Sequence, residues 1–164
     1  MGKMLVVYYS WTNGNTKKIA EELAKAKHAD IAAIDTVKPY TGSHNEVVNQ
    51  ALDETKRGYK PAIKPLGKNL ADYETIAIGT PTWWYTMAPA VKTFLEDNDF
   101  SGKTVIPFMT NAGWPGHVIK DMTKTLKAQG ANVIAPLVVK FDSNGGSQQE
   151  TRQKEIDQWI KSIH

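Results

Sequence analysis

The residues best suited to chemistry form a short polar segment after the first apolar run of the chain. That run covers 4–9 and a helical pattern starts at Thr16, so the segment joins a buried strand to a helix. Such a turn directs backbone N–H groups at one point, and the helix N-terminus adds partial positive charge. Hydroxyl and amide side chains add donors, and Gly14 allows close backbone approach to a ligand. We therefore predict a phosphate-binding loop made of Ser10, Trp11, Thr12, Asn13, Gly14, Asn15 and Thr16.

This loop contains no Lys or Arg, so neutral donors would hold the phosphate. A Walker loop needs Gly-Lys-Ser/Thr, whereas Asn15 follows Gly14 here, and a dinucleotide fingerprint needs three glycines where this segment has one. Receiver domains need aspartates at the ends of the first and third strands, but Ser10 and Thr80 occupy those positions. A low-molecular-weight phosphatase needs a cysteine, and the chain has none. These classes are excluded.

Length and composition predict one domain covering 1–164. The chain has 164 residues, of which 41% are hydrophobic, and this suits a single core. The net charge is only +3 and the lysines are dispersed, so we expect no nucleic-acid partner. No apolar run reaches the roughly 18 to 20 residues of a membrane span. The first residues enter a strand without a visible signal peptide, so we expect no membrane span and a cytoplasmic location. The His and acidic residues show no grouping typical of a metal site.

Apolar strand-like segments alternate with helix-like segments along the chain. Alternation with short apolar strands indicates a parallel sheet covered on both faces. Right-handed crossovers and five predicted strands favour a doubly wound α/β fold with the strand order 2-1-3-4-5. The segments 81–87 and 110–116 are predicted to be loops. The strands are predicted at 4–9, 30–37, 75–80, 104–109 and 132–139, and the helices at 16–27, 43–59, from Pro89, from about 118 to 130, and at the C-terminus.

Three predicted loops meet at the carboxyl edge of such a sheet, where ligands of this architecture bind. They contain Trp11, Trp83, Trp84 and Trp114, four of the five tryptophans. Loop aromatics either fold back beneath the loops or stack on a flat ligand, and four at one edge favour stacking. A phosphate held by neutral donors beside aromatic walls suits FMN. We therefore predict FMN as the cofactor.

Two motifs resemble the flavodoxin family, and the resemblance covers essentially the whole chain. Residues 12–16, Thr-Asn-Gly-Asn-Thr, are similar to the family's phosphate loop. Residues 79–84, Gly-Thr-Pro-Thr-Trp-Trp, resemble the Gly-x-Pro-x-Trp-Trp motif of short flavodoxin-like proteins. The resemblance implies non-covalent FMN binding and electron transfer, with the phosphate in the loop at 10–16. It also implies that the isoalloxazine is flanked by Pro81, Thr82, Trp83, Trp84, Tyr85, Asn111, Ala112, Gly113 and Trp114.

Two functions stay open after this comparison of motifs. The first is a single-domain electron carrier with a redox partner protein, and the second is an FMN-dependent NAD(P)H reductase of quinones or nitro-compounds. A carrier is usually monomeric and such a reductase usually oligomeric, so we expect a monomer or a homodimer. Ordinary flavodoxins are strongly acidic, whereas this chain is basic. The electrostatic field that would steer a partner protein therefore has the opposite sign. We expect Trp84 and Tyr85 on one flavin face and Trp114 on the other, because neighbours in an extended loop point opposite ways.

Overall fold

Strands and helices alternate from the first described residues to the last. The computed structural model describes residues 3–11, 14–142 and 148–163. The strands are β1 (Met4–Tyr8), β2 (Asp30–Ala33), β3 (Thr75–Trp83), β4 (Thr86–Met87), β5 (Thr104–Asn111), β6 (Asn132–Val133) and β7 (Leu137–Lys140). The helices are α1 (Asn15–Lys27), α2 (His44–Arg57), α3 (Pro89–Asp97), α4 (Val118–Ala128) and α5 (Gln153–Ser162).

The pairing of the strands confirms the doubly wound prediction. β1 lies between β2 and β3, β3 pairs with β5, and β5 pairs with both β6 and β7, all in parallel. The observed order is β2-β1-β3-β5-β6, which is the predicted order 2-1-3-4-5 with a divided fifth strand. Ala135 adopts a left-handed backbone with φ 47° and is followed by Pro136, which has no N–H to donate to a ladder. These two residues divide the predicted strand at 132–139.

Helices cover both faces of the sheet, because side chains alternate along each strand. Leu5 and Ile76 belong to one buried cluster together with residues of α3 and α4, and α2 packs on α3. Val6 and Ala77 belong to a second cluster with residues of α1 and α5. The strands are therefore buried on both faces, as near-continuous apolar runs require. Within the described residues, no helix is long and apolar enough to cross a bilayer.

The prediction that residues 81–87 form a loop is wrong. β3 continues to Trp83, the chain turns at Trp84 and Tyr85, and Thr86–Met87 returns as β4, antiparallel to β3. The extension has a partner because β5 also runs past the predicted end at 109, and Thr110 pairs with Pro81. The strand predicted at 30–37 is too long, since β2 ends at Ala33, opposite the last residue of β1.

Gly79 in β3 allows an aromatic ring to cover the sheet directly. A Cβ at this position would lie 2.3 Å from two atoms of the Phe108 ring, which is fully buried. That ring packs in turn against Trp159 of α5, with ring centroids 5.8 Å apart. The glycine therefore sets the spacing between the middle of the sheet and α5, immediately before the carboxyl edge.

Replacing Gly79 with Ala should destabilise the protein by ~1–3 kcal/mol, because the Phe108 ring cannot leave a close-packed core without strain. The measurement is the free energy of unfolding in urea. Gly67→Ala is a comparison without crowding, because a Cβ added there would have no atom within 4 Å. Any loss in that variant reflects the left-handed backbone of Gly67, at φ 77°, and not packing. A Gly79→Ala protein as stable as the wild type would show that Phe108 moves freely.

Candidate functional site

The carboxyl ends of β1, β3 and β5 open into a cavity of about 290 Å³. Ten of the predicted site residues line it: Ser10, Trp11, Asn15, Thr16, Pro81, Thr82, Trp83, Trp84, Asn111 and Ala112. Val47, Val48, Ala51, Thr110 and Phe141 complete the lining. All of these residues are uncharged, so a ligand here would meet neutral donors and apolar walls. The structure thus brings together segments that are distant in sequence, at the edge where this architecture binds ligands.

The N-terminus of α1 forms one end of the cavity. Gly14 precedes the helix with φ 68°, a left-handed conformation that glycine adopts without strain. The first intrahelical bond runs from the Lys18 N–H to the Gly14 carbonyl, so the earlier N–H groups of this turn have no carbonyl within the helix. Thr16 is buried, and its hydroxyl lies 2.8 Å from that of Thr110. The predicted residues Thr12 and Asn13 lie outside the described part of the chain.

Trp83 is a packed wall of the cavity. Its ring meets Tyr9, Trp11 and Tyr40 edge-to-face, at centroid distances of 5.6, 6.0 and 5.0 Å. Edge-to-face contacts of this kind stabilise aromatic clusters beyond their buried area. Trp83 therefore joins the end of β3 to the segment after β1 and to the residues before α2.

A buried carboxylate lies behind this aromatic cluster. Glu54 accepts hydrogen bonds from the Tyr40 hydroxyl at 2.6 Å and from the Gln50 side-chain amide at 2.8 Å. Burial first, and then the Glu54 carboxylate, raise the pKa of Tyr40. The pKa of Tyr9 is raised by burial and by its proximity to the same carboxylate. Both phenols therefore stay protonated and neutral at physiological pH.

The tip of the β3–β4 hairpin has an unusual backbone. Trp84 and Tyr85 both adopt positive φ, at 50° and 69°, although neither is glycine. A left-handed conformation costs an ordinary residue roughly 1–2 kcal/mol and persists only where surrounding contacts impose it. One such contact is from the Trp84 indole N–H to the Val48 carbonyl of α2, at 2.8 Å.

Helix α4 holds the other side of the hairpin tip. The His117 N–H donates to the Tyr85 carbonyl at 2.7 Å, and the Thr86 hydroxyl donates to the Asp121 carboxylate at 2.6 Å. His117 Nδ1 contacts the same carboxylate oxygen. Gly116 leaves room for this approach, because a Cβ there would lie 2.2 Å from the Tyr85 carbonyl oxygen. The tip is therefore anchored on both α2 and α4.

A shallow aromatic cleft adjoins the main cavity. Trp84, Tyr85 and Trp114 line it with Thr82 and Ala112, and its volume is about 220 Å³. The three aromatics are 36%, 53% and 60% exposed, in that order. The expected extended loop at Trp84 and Tyr85 is wrong, since both residues lie in a turn, and they line the same cleft as Trp114. The placement of Trp84 and Tyr85 on one flavin face and of Trp114 on the other stays a prediction.

Of the predicted site residues that the structure describes, two line neither cavity. Gly14 lies in the turn before α1, and Gly113 donates its N–H to the Asn111 side-chain oxygen at 2.8 Å. The Asn111 amide also donates to the Val139 carbonyl at 3.1 Å, so this side chain fixes the loop after β5. Both glycines shape the backbone here, and neither contributes a wall.

Five lining residues are absent from the set predicted by sequence. Val47 and Ala51 are spaced along α2 as core residues are, and nothing in that spacing shows that the core edge opens into a cavity. Thr110 is predicted as the start of a loop, although it is a strand residue. Phe141 immediately follows β7, and the shared carboxyl edge of the parallel strands could have indicated it.

Comparison with known proteins is consistent with this geometry. The family model described as Flavodoxin matches residues 3–163. The chain belongs to the flavodoxin family. The chain is 29% identical to a proposed flavoprotein from Bacteroides eggerthii; the TM-score is 0.78, and the alignment covers 99% of this chain and 98% of that one.

Two further relatives carry different descriptions. A Lactobacillus acidophilus flavoprotein solved in complex with FMN is 24% identical, with a TM-score of 0.74 and coverage of 97% and 99%; at that identity it shows a shared fold. A protein named NAD(P)H dehydrogenase (quinone), from Cupriavidus metallidurans, is 31% identical over 98 residues. That match spans 58% of this chain and 46% of the Cupriavidus protein, so it covers about half the length of that relative.

Replacing Gly116 with Ala should destabilise the protein more than replacing Gly102 with Ala. Both glycines have positive φ, at 56° and 73°, so each substitution carries a backbone cost of about 1–2 kcal/mol. Of these two sites, only at Gly116 does the new methyl meet the hairpin backbone, which adds about 1–3 kcal/mol of overpacking. Urea unfolding of the two variants measures the difference. Equal losses would mean that the hairpin tip moves away without cost.

Proposed function

We propose that this protein binds FMN at the carboxyl edge of its sheet and transfers electrons through it. The observation that carries the proposal is one continuous site, which runs from the N-terminus of α1 to the exposed cleft of Trp84, Tyr85 and Trp114. A phosphate at one end and a flat ring at the other describe a flavin mononucleotide. Bound FMN would supply the redox chemistry, and the protein residues would bind and orient it.

The α1 end of the site suits a phosphate. The N-terminus of a helix provides N–H donors and a favourable dipole for an anion. Ser10, Asn15 and Thr16 line this end of the cavity, and the adjacent Thr12 and Asn13 belong to the same loop. In this proposal these neutral donors and the Gly14 turn hold the phosphate without a cationic side chain.

The opposite end suits the isoalloxazine ring. Trp84, Tyr85 and Trp114 line a cleft that shares Thr82, Trp84 and Ala112 with the cavity at the N-terminus of α1. Exposed aromatics clustered at one cleft commonly mark a ligand site, because their apolar surface is otherwise left in water. The anchored hairpin tip would give the ring a rigid surface on one side. Residues Pro81, Trp83, Asn111 and Gly113 would support that surface from β3 and the loop after β5.

Leucine in place of Trp84, Tyr85 or Trp114 tests the ring site. The residue that stacks on the flavin should weaken FMN binding by roughly 1 kcal/mol or more, about fivefold, when its ring is removed. Quenching of flavin fluorescence should fall in the same variant. Tyr59→Leu is the matched control, because Tyr59 is an exposed aromatic that lines neither part of this site. Unchanged affinity in all three variants would contradict the ring site.

An electron carrier needs only an exposed flavin edge, and the open cleft supports that role. The partner would be a redox protein. With a net charge of +3, the chain would favour an acidic partner over the basic partners of acidic flavodoxins. A second candidate is a reductase of quinones or nitro-compounds that uses NAD(P)H, and the partial match to the Cupriavidus quinone dehydrogenase supports it.

Steady-state turnover distinguishes the two candidates. The protein is loaded with FMN and mixed with NADH or NADPH and a quinone, and nicotinamide absorbance is followed with free FMN as the control. A carrier should give no turnover above the free-FMN rate, while a reductase should turn over many times per flavin. If the purified protein bound neither FMN nor riboflavin, both candidates would be rejected.

A further inference from the structure

Two threonine hydroxyls form a buried pair at the phosphate end of the proposed site. Thr16 in the first turn of α1 and Thr110 near the end of β5 place their Oγ1 atoms 2.8 Å apart. The two residues are 1% and 4% exposed and 94 positions apart in sequence. Both line the main cavity. The sequence pattern predicts a binding role for Thr16 alone.

The two hydroxyl groups of this pair carry one hydrogen that the bond between them does not use. Two hydroxyls carry two hydrogens, and a single bond between them uses one. In the described residues, Thr16 and Thr110 make no second side-chain hydrogen bond. A buried hydroxyl hydrogen without an acceptor is destabilising, so the pair is suited to an acceptor that enters from the cavity.

The position of the pair indicates which hydroxyl faces that acceptor. Thr16 lies where the helix dipole favours an anion, while Thr110 is fixed in the sheet by pairing with Pro81 and Val139. The Thr110 carbonyl also accepts a hydrogen bond from the Thr82 hydroxyl at 3.1 Å. A donor in a rigid strand can therefore orient a hydroxyl at the helix terminus.

We propose that Thr110 is a positioning residue that makes the site specific for a phosphorylated flavin. Its hydroxyl donates to Thr16 Oγ1, so the Thr16 hydrogen is directed at a phosphate oxygen. Each bond of such a chain polarises the next, which strengthens the final bond to the anion. The inference rests on the proposed function, and it adds a determinant of the preference for FMN over riboflavin that comes from β5, outside the phosphate loop.

The test compares affinities for FMN and riboflavin in the 164-residue chain, by titration of flavin fluorescence. Thr110→Val keeps the shape of the side chain and removes the hydroxyl. We expect FMN affinity to fall roughly tenfold or more, the scale of a hydrogen bond to a charged group, while riboflavin affinity stays the same. Thr110→Ser keeps the hydroxyl and should retain the preference for FMN.

Thr93→Val is the matched control for loss of a buried threonine hydroxyl. Thr93 lies in α3, and its hydroxyl donates to the Pro61 carbonyl at 2.8 Å, away from the cavity. Its loss should lower stability without changing the ratio of the two affinities. Should Thr110→Val fail to fold, Thr110→Ala provides the same comparison.

The outcomes separate this inference from the function it rests on. If the wild type binds FMN but Thr110→Val loses affinity for both flavins equally, or for neither, the positioning role of Thr110 is rejected and FMN binding stands. If the wild type binds no flavin, the proposed function itself is rejected, and this inference with it. A selective loss for FMN in Thr110→Val, reversed in Thr110→Ser, supports the inference.

Discussion

The ladder between β3 and β5 is the constraint on which the candidate site depends. It runs from Thr75–Thr104 to Pro81–Thr110, beyond the ends of β1 and β2. The extra length brings β3 to the hairpin tip and β5 to the N-terminus of α1. Backbone pairing of this kind satisfies the polar groups of both strands, so the extension is rigid. Without it, the residues after Thr80 would form a mobile loop with no fixed aromatic surface.

The aromatic residues near this ladder, at the carboxyl edge, form two groups. One group is packed and supports β3, and the other is exposed to the cleft. Trp83 is held edge-on by Tyr9, Trp11 and Tyr40, while Trp84, Tyr85 and Trp114 face the open cleft. The packed group stabilises the end of β3, and the exposed group leaves apolar surface for a ligand. The strained backbone of the tip persists because α2 and α4 hold it on both sides. Strain of this kind is common where a surface must be rigid for binding.

Among the described residues, none that lines either cavity is charged, although the chain as a whole is basic. In the proposed function, the ligand anion is met by oriented neutral groups: the helix terminus, the loop amides and the linked hydroxyls of Thr16 and Thr110. In that proposal the arrangement would recognise a phosphate by geometry, and the surface charge would be free to select a partner. The basic surface and the neutral site are thus independent features, one acting at long range and one by direct contact.

The alternation of elements, the strand order and the polar loop before α1 could be predicted from sequence, because periodicity and turn chemistry act over a few residues. The length of β3 could not, since Pro81 and the residues after it are typical of a loop, and only the extension of β5 supplies a partner. Aromatic content indicated a flat ligand, but the different surroundings of Trp83 and Trp84 depend on residues distant in sequence. Trp83 packs on Tyr9, Trp11 and Tyr40, whereas Trp84 bonds to α2. The same holds for Val47 and Thr110, which reach the cavity only through the fold.

The sequence by itself therefore determined the fold class, the edge of the sheet at which a ligand site is expected, and the kinds of side chain found there. Tertiary structure alone decided which aromatics stay exposed, how the hairpin tip is held, and that Thr16 meets Thr110. The physical reason is the distance along the chain over which the deciding interactions act. Local propensity and apolar patterning depend on neighbours along the chain, whereas the direction of a side chain at this edge depends on contacts between residues up to 94 positions apart.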